Sequence, residues 1–191
     1  MSELAWAELE TPVGRLAVGC GEAGVAHVRW SKRSGPPAGA AGPGTAGSTQ
    51  ARQLADEARR QLAGYLQGER TEFDVPLDWS AITGRQRQVL RLLHADVGFG
   101  QTVTYGELAT RAGLEPAGND LPARTVGQIM GSNPIAVLVP CHRVVASDGL
   151  GGYSGGTGVE VKRWLLTLEG TLPPTLDWEP ASYSGRADPA R

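Results

Sequence analysis

The sequence has few of the residues that mark a secreted, metal-binding or membrane protein. Of its 191 residues two are cysteine, Cys20 and Cys141, which is too few for a disulfide scaffold. It has no CxxC pair or Cys/His array, so we expect no zinc site and no other metal. No apolar run reaches the roughly 18 residues of a membrane span. The opening MSELAWAELETPVG lacks basic and apolar stretches, so we expect no signal peptide.

A strong charge of one sign is also missing. The formal net charge is −2, and residues 81–170 carry 8 basic against 7 acidic side chains, while residues 1–80 carry 8 against 10. Any nucleic-acid surface must therefore be a local patch on the second half. Of the 18 basic residues 16 are arginine, which indicates a GC-rich, bacterial genome. Because a free thiol survives in a reducing compartment, we expect a cytoplasmic protein.

The first 80 residues combine strand and helix patterns. The stretches LAWAELE, RLAVGC and VAHVRW alternate and are separated by turns, which predicts antiparallel strands. Residues 34–49 are small and turn-forming, and predict a mobile loop. Apolar residues at helical spacing predict a helix from Gln50 that ends before Gly68. TEFDVPLDW resembles one more strand and leads to a domain boundary near Ser80.

The second half predicts a mostly helical domain. Thr83 is placed to cap one helix, TYGELATRAG predicts a short helix ending at Gly113, and Pro122 suits the start of PARTVGQIMG. Two short helices joined by a loop permit a helix-turn-helix, although an ordinary helix pair has the same pattern. VEVKRWLLTLEG predicts a last helix with Trp164, Leu165 and Leu168 on its apolar side. We expect the tail, 171–191, to fray.

The stretch LVPCHRVV places Cys141, His142 and Arg143 inside an apolar run typical of a buried strand. In extended backbone, adjacent side chains point to opposite sides, so a contact between thiol and imidazole needs a turn, a bend or a bridging water. A buried structural cysteine explains the thiol alone. Polar neighbours inside an apolar run need partners, however, and functional sites collect such groups. The alternative is a nucleophile activated by an imidazole.

Three nearby features bear on this choice. Asn133-Pro134 is a turn signal, and the amide can tie a turn near the thiol. GGYSGG places an aromatic ring and a hydroxyl on a glycine-rich frame that suits a flat ligand, and an ordinary surface loop has the same composition. Glu169 ends the last helix, where it can orient an imidazole or stand exposed in solvent. Taken singly, none of these features assigns a function.

In this order, the motifs TVTYGELA, ARTVG, SNP, VPCHRVV, GYSGG and KRWLLTLEG resemble those of the O6-alkylguanine-DNA alkyltransferases. The likeness is strong over 83–170 and looser over TPVGRLAVGCGEAGVAHV. It implies an α/β fold with an RNase H-like first domain (1–80) and a mostly helical second domain (81–170) with a helix-turn-helix of winged-helix type. It further implies a monomer without a cofactor. Some relatives bind a structural zinc in the first domain, but Cys20, His27 and His94 are too few and too scattered to hold one here. The partner is double-stranded DNA containing O6-alkylguanine, bound through its minor groove.

The resemblance also implies roles for individual residues. Cys141 is the alkyl acceptor, and His142 (through a water) and Glu169 form the relay that takes its proton. Asn133 braces the active-site turn, and Tyr105 supports the leaving guanine. The residues implied at the DNA are Arg124, which fills the hole left by the flipped base, with Ala123, Thr125 and Gly127, and those implied around the base are Met130, Val144, Tyr153 and Ser154.

The implied reaction is a single displacement at saturated carbon. The thiolate takes the alkyl group from O6-alkylguanine or O4-alkylthymine, and the stable thioether limits each chain to one base. One alternative is a non-enzymatic lesion-recognition relative, which usually has Trp in place of the cysteine, so Cys141 favours the enzyme. A cysteine hydrolase needs an oxyanion hole and a non-adjacent base. A transcription regulator has no use for the thiol.

Four features depart from the family's usual pattern. The connection 114–122 between the two DNA-binding helices is longer, and Thr125 stands where a small residue is usual. Arg85 and Leu90 stand where aromatic residues are commoner, and no arginine precedes Asn-Pro. These departures concern the fit to the DNA groove rather than the thiol chemistry.

Overall fold

The computed structural model describes residues 3–31, 47–116 and 121–174. The predicted loop 34–49 lies outside the described residues up to residue 46. The same holds for residues 117–120 of the long helix connection and for residues 175–191 of the tail. Within the described ranges, no helix combines the length and the apolar character that crossing a membrane requires.

Three antiparallel strands form the first layer, in the order β1-β2-β3. They are β1 (Ala5–Thr11), β2 (Gly14–Gly21) and β3 (Gly24–Ser31). Tight turns join them as the alternating pattern predicted, and the central strand β2 is buried from residue 16 to residue 21.

Helix α1 (Thr49–Leu66) covers this sheet and ends before Gly68 as predicted. Ser48 caps its first turn, because the Ser48 Oγ accepts a hydrogen bond from the Ala51 N–H at 3.2 Å. Its buried face is rich in alanine, which lets the helix backbone lie close to the strands. The last turn brings Tyr65, which is fully buried, towards the second half of the chain.

The strand predicted over TEFDVPLDW is wrong. Leu77 alone forms a bridge, parallel to Val25 of β3, held by Val25 N–H to Pro76 O at 2.8 Å and Asp78 N–H to Val25 O at 2.9 Å. Pro76 has no N–H to extend a ladder. The Asp74 N–H is taken by the Gln61 side chain at 2.9 Å.

Helices are the main regular structure of the second half. They are α2 (Gly84–Asp96), α3 (Tyr105–Arg111), α4 (Pro122–Gly131) and α5 (Val159–Leu168), with a parallel two-residue pair, β4 (Val103–Thr104) and β5 (Val144–Val145). Pro122 occupies the first position of α4 as predicted, and α3 and α4 pack together as a helix-turn-helix requires. Thr83 does precede α2, but its side chain makes no capping hydrogen bond.

The start of α3 is fixed by a capping box. Thr104 Oγ1 accepts from the Glu107 N–H at 3.1 Å, and Glu107 Oε2 accepts from the Thr104 N–H at 2.8 Å. We expect Thr104→Ala to lower the free energy of unfolding by about 1 kcal/mol, measured by urea denaturation. The control is Thr110→Ala, since the exposed Thr110 hydroxyl bonds only the Gly106 carbonyl of its own helix. Equal losses in both variants would contradict the capping argument.

The buried strand predicted around LVPCHRVV is also wrong, except for the two residues of β5 at its end. Ile135 forms one bridge with Val28 of β3, and the chain then turns sharply at Val137, a buried β-branched residue with φ of 70°. The Leu138 N–H bonds Ala136 O at 2.9 Å across this turn. A positive φ at a β-branched residue is strained and persists because the surrounding packing holds it. Pro140 then removes another donor, so no strand forms before β5.

Candidate active site

Cys141 opens a single turn of 3₁₀ helix, Cys141–Arg143, instead of a strand. The Arg143 N–H bonds Pro140 O at 2.9 Å, and the Cys141 N–H bonds Val139 O at 2.8 Å. The turn that a contact between thiol and imidazole demands is therefore present. The cysteine side chain is almost fully buried, and it borders a cavity on the α4 side and another on the β3 side.

Asn133 closes the chain segment that leads to the thiol. Its Nδ2 donates to Val139 O at 2.9 Å, and its Oδ1 accepts from the Ile135 N–H at 3.1 Å. The amide thus holds both ends of the strained turn at Val137. The sequence predicted that this amide ties a turn near the thiol, and these two bonds lie at such a turn. A role of Asn133 in the reaction stays a prediction.

Behind the thiol lies a buried cluster of charged groups centred on Glu169. Its carboxylate accepts from His142 Nε2 at 2.6 Å, from Arg143 Nε at 2.9 Å and from the hydroxyl of Tyr65. Arg143 also donates to Val97 O at 2.7 Å. Glu169 is therefore a buried member of the site, and the alternative of an exposed helix-end carboxylate is wrong.

The cluster fixes which imidazole nitrogen carries the proton. Burial works to raise the pKa of Glu169, but hydrogen bonds from His142 and Arg143 and the charge of Arg143 outweigh it and lower the pKa to about 2. Burial lowers the pKa of His142, so the imidazole is neutral at pH 7. A carboxylate only accepts, so the His142 Nε2 carries the hydrogen. Nδ1 keeps its lone pair, and it is buried without a hydrogen-bond partner among the described residues.

The thiol itself rests in its neutral form. Burial raises the pKa of Cys141, although hydrogen bonds from Asn133 and Tyr153 and the charge of Lys162 oppose this. A reaction at this sulfur therefore needs a base at hand. Cys20 provides a contrast, because burial in β2 raises its pKa to about 12 with no opposing polar group. The structural-cysteine interpretation fits Cys20.

A cavity of about 510 Å³ opens at the thiol, a size in the range of small-molecule sites. Helix α4 supplies Arg124, whose side chain is exposed, and α3 supplies Tyr105. In the described chain Thr125 and Val144 do not line this cavity: Thr125 is half-buried on α4, and the Val144 carbonyl accepts from Lys162 Nζ. The residues that line it with Cys141 are Tyr105, Ala123, Arg124, Gly127, Met130, Gly131, Gly152, Tyr153 and Ser154.

The glycine-rich loop, residues 151–156, forms one wall of the cavity and packs against neighbouring elements. A Cβ on Gly151, which has φ of +69°, would lie 2.8 Å from Tyr105 Cε2, and one on Gly155 would lie 2.6 Å from Trp30 Cδ1. Ser154 Oγ donates to the Gly131 carbonyl at 3.1 Å. These contacts join the loop to α3, α4 and β3, so the alternative of an ordinary surface loop does not describe it.

Several residues of the site were missed by the sequence analysis. Tyr65 comes from α1, and Trp30 of β3 donates from Nε1 to the Tyr153 hydroxyl at 3.4 Å. The predicted apolar side of α5 was partly wrong, because the helix buries Val161, Lys162, Leu165 and Leu166, whereas Trp164 and Leu168 are half-buried. The signal for Lys162 was its helical spacing from Leu165 and Leu166. Nothing local marked Tyr65 or Trp30.

Comparison with known families identifies both halves. The 6-O-methylguanine DNA methyltransferase DNA binding domain matches residues 84–171, and the ribonuclease-like domain of the same family matches residues 4–79. The chain belongs to the 6-O-methylguanine DNA methyltransferase family. This confirms the family predicted from the motifs, and with it the α/β fold class with a ribonuclease-like first domain.

Relatives within this methyltransferase family match about three fifths of the chain. A protein named methylated-DNA--protein-cysteine methyltransferase from Methanopyrus kandleri is 41% identical over 116 residues, 60% of this chain and 80% of that protein. One of the same name from Metallosphaera sedula is 44% identical over 114 residues, 59% of this chain and 66% of that protein. The Mycobacterium tuberculosis protein of this name is 45% identical over 115 residues, which is 60% of this chain and 64% of that protein. The matched region thus spans slightly less than two thirds of the latter two.

Solved structures extend the likeness over nearly the whole chain. The Mycobacterium tuberculosis O6-methylguanine methyltransferase superimposes with a TM-score of 0.70 at 33% identity, covering 91% of this chain and 97% of that one. A structure of the Mycobacterium tuberculosis OGT in complex with DNA superimposes with a TM-score of 0.69 at 34% identity, covering 86% of this chain and 92% of that one. Among the described residues, no three His, Cys, Asp or Glu side chains are grouped to hold a metal ion.

Proposed function

We propose that this chain repairs O6-alkylguanine in double-stranded DNA by moving the alkyl group to Cys141, once per chain. The observation that carries the proposal is a buried thiol at a cavity of about 510 Å³, backed by an imidazole whose free nitrogen can take the proton. Membership of the family and the similarity to a relative solved with DNA support it. O4-alkylthymine is a second substrate of the same chemistry.

The first step moves a proton off the thiol. His142 Nδ1 takes it through a bridging water, and the imidazolium that forms faces the Glu169 carboxylate 2.6 Å away. The Cys141 thiolate then attacks the alkyl carbon, the C–S bond forms, and the electron pair of the breaking C–O bond stays on the guanine. Because Asn133 holds the turn before Cys141, the sulfur is oriented before the substrate arrives.

The leaving guanine needs a partner for its ring nitrogen. Tyr105 lines the cavity, and burial, followed by the charge of Cys141, raises the pKa of its phenol. The hydroxyl therefore stays protonated at neutral pH and can donate a hydrogen bond to guanine N3. It now bonds the Gly152 carbonyl at 3.2 Å, which holds it at the cavity wall. Such a donor stabilises the charge that develops on the departing base.

DNA is bound by α4 and the glycine-rich loop. Arg124 enters the base stack and fills the hole, while Ala123, Thr125 and Gly127 lie along the DNA backbone. Met130 and Tyr153 flank the flipped base, and Ser154 bonds its O6. An alkylated guanine pairs weakly with cytosine, so it costs less to extrude than a normal base.

Domain organisation and location complete the proposal. We place the boundary between the ribonuclease-like and DNA-binding domains near Ser80, within a monomer whose last residues from 171 form a tail. No cofactor takes part in the transfer. A bacterial cytoplasm, with the protein on nucleoid DNA, fits this role.

The role of Arg124 is tested by comparing two substrates. We expect Arg124→Ala to slow repair of duplex DNA by about 100-fold, because a hole in the stack costs a few kcal/mol. Reaction with free O6-benzylguanine base should change less than about twofold, since a free base leaves no hole. The control is Arg111→Ala, which removes an exposed charge from α3 outside the cavity. Equal slowing on both substrates would place Arg124 in the pocket or the fold instead.

The proposal as a whole is tested by counting repaired bases. A limiting amount of protein is mixed with duplex DNA containing O6-methylguanine, and the guanine restored is measured after digestion of the DNA. We expect one guanine per chain and then a plateau. Binding without restored guanine would support a non-enzymatic lesion-recognition protein, and continued turnover would exclude a stable thioether.

A further inference from the structure

Lys162 is a fully buried lysine on α5, beside the thiol turn. Its Nζ donates to the Val144 carbonyl at 2.6 Å and to the Gly152 carbonyl at 3.3 Å. The ammonium also lies 5.7 Å from the centre of the Tyr105 ring. A buried charge is costly unless something compensates it, so this position requires an explanation.

The compensation is incomplete in the resting protein. Among the described residues, the hydrogen-bond partners of Lys162 are two carbonyls and no carboxylate. The nearby Arg143 differs, because it is paired with Glu169. The titratable and charged groups that surround Lys162 and the thiol are Tyr65, Tyr105, Cys141, His142, Arg143, Tyr153 and Glu169.

We propose that Lys162 is a positioning residue of the transfer reaction, whose ammonium stabilises the Cys141 thiolate. Its two hydrogen bonds connect the segment after Cys141, at Val144, with the glycine-rich loop, at Gly152. The inference rests on the proposed alkyl transfer. When the thiol gives its proton to His142, two charges appear inside the protein. The new imidazolium is bonded to the Glu169 carboxylate, and the charge of Lys162 stabilises the new thiolate, so an opposite charge offsets each new one.

The electrostatics of the site agree with this pairing. Burial lowers the pKa of Lys162 to about 8, and the Cys141 charge opposes that shift. The amine is therefore mostly protonated at pH 7, and its charge works in turn to lower the pKa of the thiol. The stabilisation of the thiolate is present below about pH 8 and is lost as the amine deprotonates above it.

The hydrogen bonds place Lys162 between the nucleophile and the leaving-group donor. The Gly152 carbonyl accepts from both Lys162 Nζ and the Tyr105 hydroxyl, at 3.3 Å and 3.2 Å. The Val144 carbonyl, three residues after the thiol, accepts the shorter bond. One ammonium thus connects the segment that carries the sulfur with the loop and with Tyr105.

The test compares Lys162→Met, Lys162→Arg and Arg163→Met, the last being an exposed cation on the same helix. The rate of Cys141 reaction with free O6-benzylguanine, and with iodoacetamide, is measured between about pH 6 and pH 11. For Lys162→Met we expect the midpoint of the pH–rate profile to rise by about one unit, and the rate at pH 7 to fall about tenfold. Lys162→Arg should keep the wild-type midpoint even where its larger head slows the reaction, and Arg163→Met should match the wild type.

A slower Lys162→Met reaction with an unchanged midpoint would overturn the inference, since a purely structural role changes the rate alone. A second measurement uses only folded protein with Lys162 intact. The chain has two lysines, Lys32 and Lys162, so their ε-carbon NMR signals can be titrated separately. Cys141→Ser should lower the pKa of Lys162 relative to the wild type, and an unchanged pKa would also overturn the inference. If the wild-type protein accepts no alkyl group on Cys141, that result would contradict the proposed function and not only the role of Lys162.

Discussion

Cys141→Ser is expected to reduce alkyl transfer by roughly a thousandfold or more while lesion binding stays close to that of the wild type. The thiol supplies the chemistry, whereas α4 and the glycine-rich loop supply the DNA contacts. A serine hydroxyl has a far higher pKa than a thiol, so the same imidazole generates almost no anion from it. Gel shifts and restored guanine, measured on one preparation, separate binding from transfer.

The second cysteine is the matched control for this variant. Cys20 is buried in β2 and lines neither cavity at the thiol, and burial raises its pKa to about 12. Cys20→Ser should therefore keep full transfer, with at most a loss of stability. Comparable transfer by Cys141→Ser, or lost transfer in folded Cys20→Ser, would show that the nucleophile is assigned wrongly.

Glu169→Gln is expected to lower the free energy of unfolding by about 3–5 kcal/mol at pH 7. The change leaves the buried Arg143 guanidinium without its carboxylate and weakens the bonds to His142 and Tyr65. It should also slow transfer, because an amide no longer forces the His142 proton onto Nε2. Urea denaturation measures the first effect, and Cys141 alkylation measures the second.

The stability that Glu169 contributes should decrease as the pH falls. The folded pKa of Glu169 is lowered from its ordinary 4.5 to about 2, so its contribution is present above about pH 4.5 and is lost as the pH falls towards 2. The difference in stability between wild type and Glu169→Gln should shrink over that range. The control is Glu160→Gln at an exposed position of α5, expected to change stability by less than about 0.5 kcal/mol. A constant difference down to pH 2 would contradict the buried ion pair.

Local patterns predicted most of the regular structure. The alternation of β1 to β3 and the apolar spacing of α1 gave their positions, and Pro122 marked the start of α4. Both failed strands have a proline where a ladder needs a donor, Pro76 in one and Pro140 in the other. The positive φ of Val137 could not be expected from a β-branched residue, because the tertiary packing around Asn133 imposes it.

The candidate site was predicted as far as its residues form a motif. Cys141 and His142 are adjacent in the sequence, and the family resemblance favoured the orienting role of Glu169 over an exposed carboxylate. The supporting residues come from other elements, and their contacts exist only after folding: Tyr65 reaches Glu169 from α1, and Trp30 reaches Tyr153 from β3. Lys162 was hidden for another reason. A lysine in a helical pattern normally indicates a solvated face, and its burial depends on the two carbonyls that accept its hydrogen bonds.

Transfer of the alkyl group to Cys141 is tested most directly by locating that group after the reaction. Equimolar protein and duplex DNA containing O6-methylguanine are allowed to react, and the intact mass of the chain is measured before proteolysis locates the change. The predicted result is a gain of one CH2 unit per chain, on the peptide that contains Cys141, matched by one restored guanine. An unchanged protein mass while guanine is restored, or a methyl group on Cys20, would contradict it.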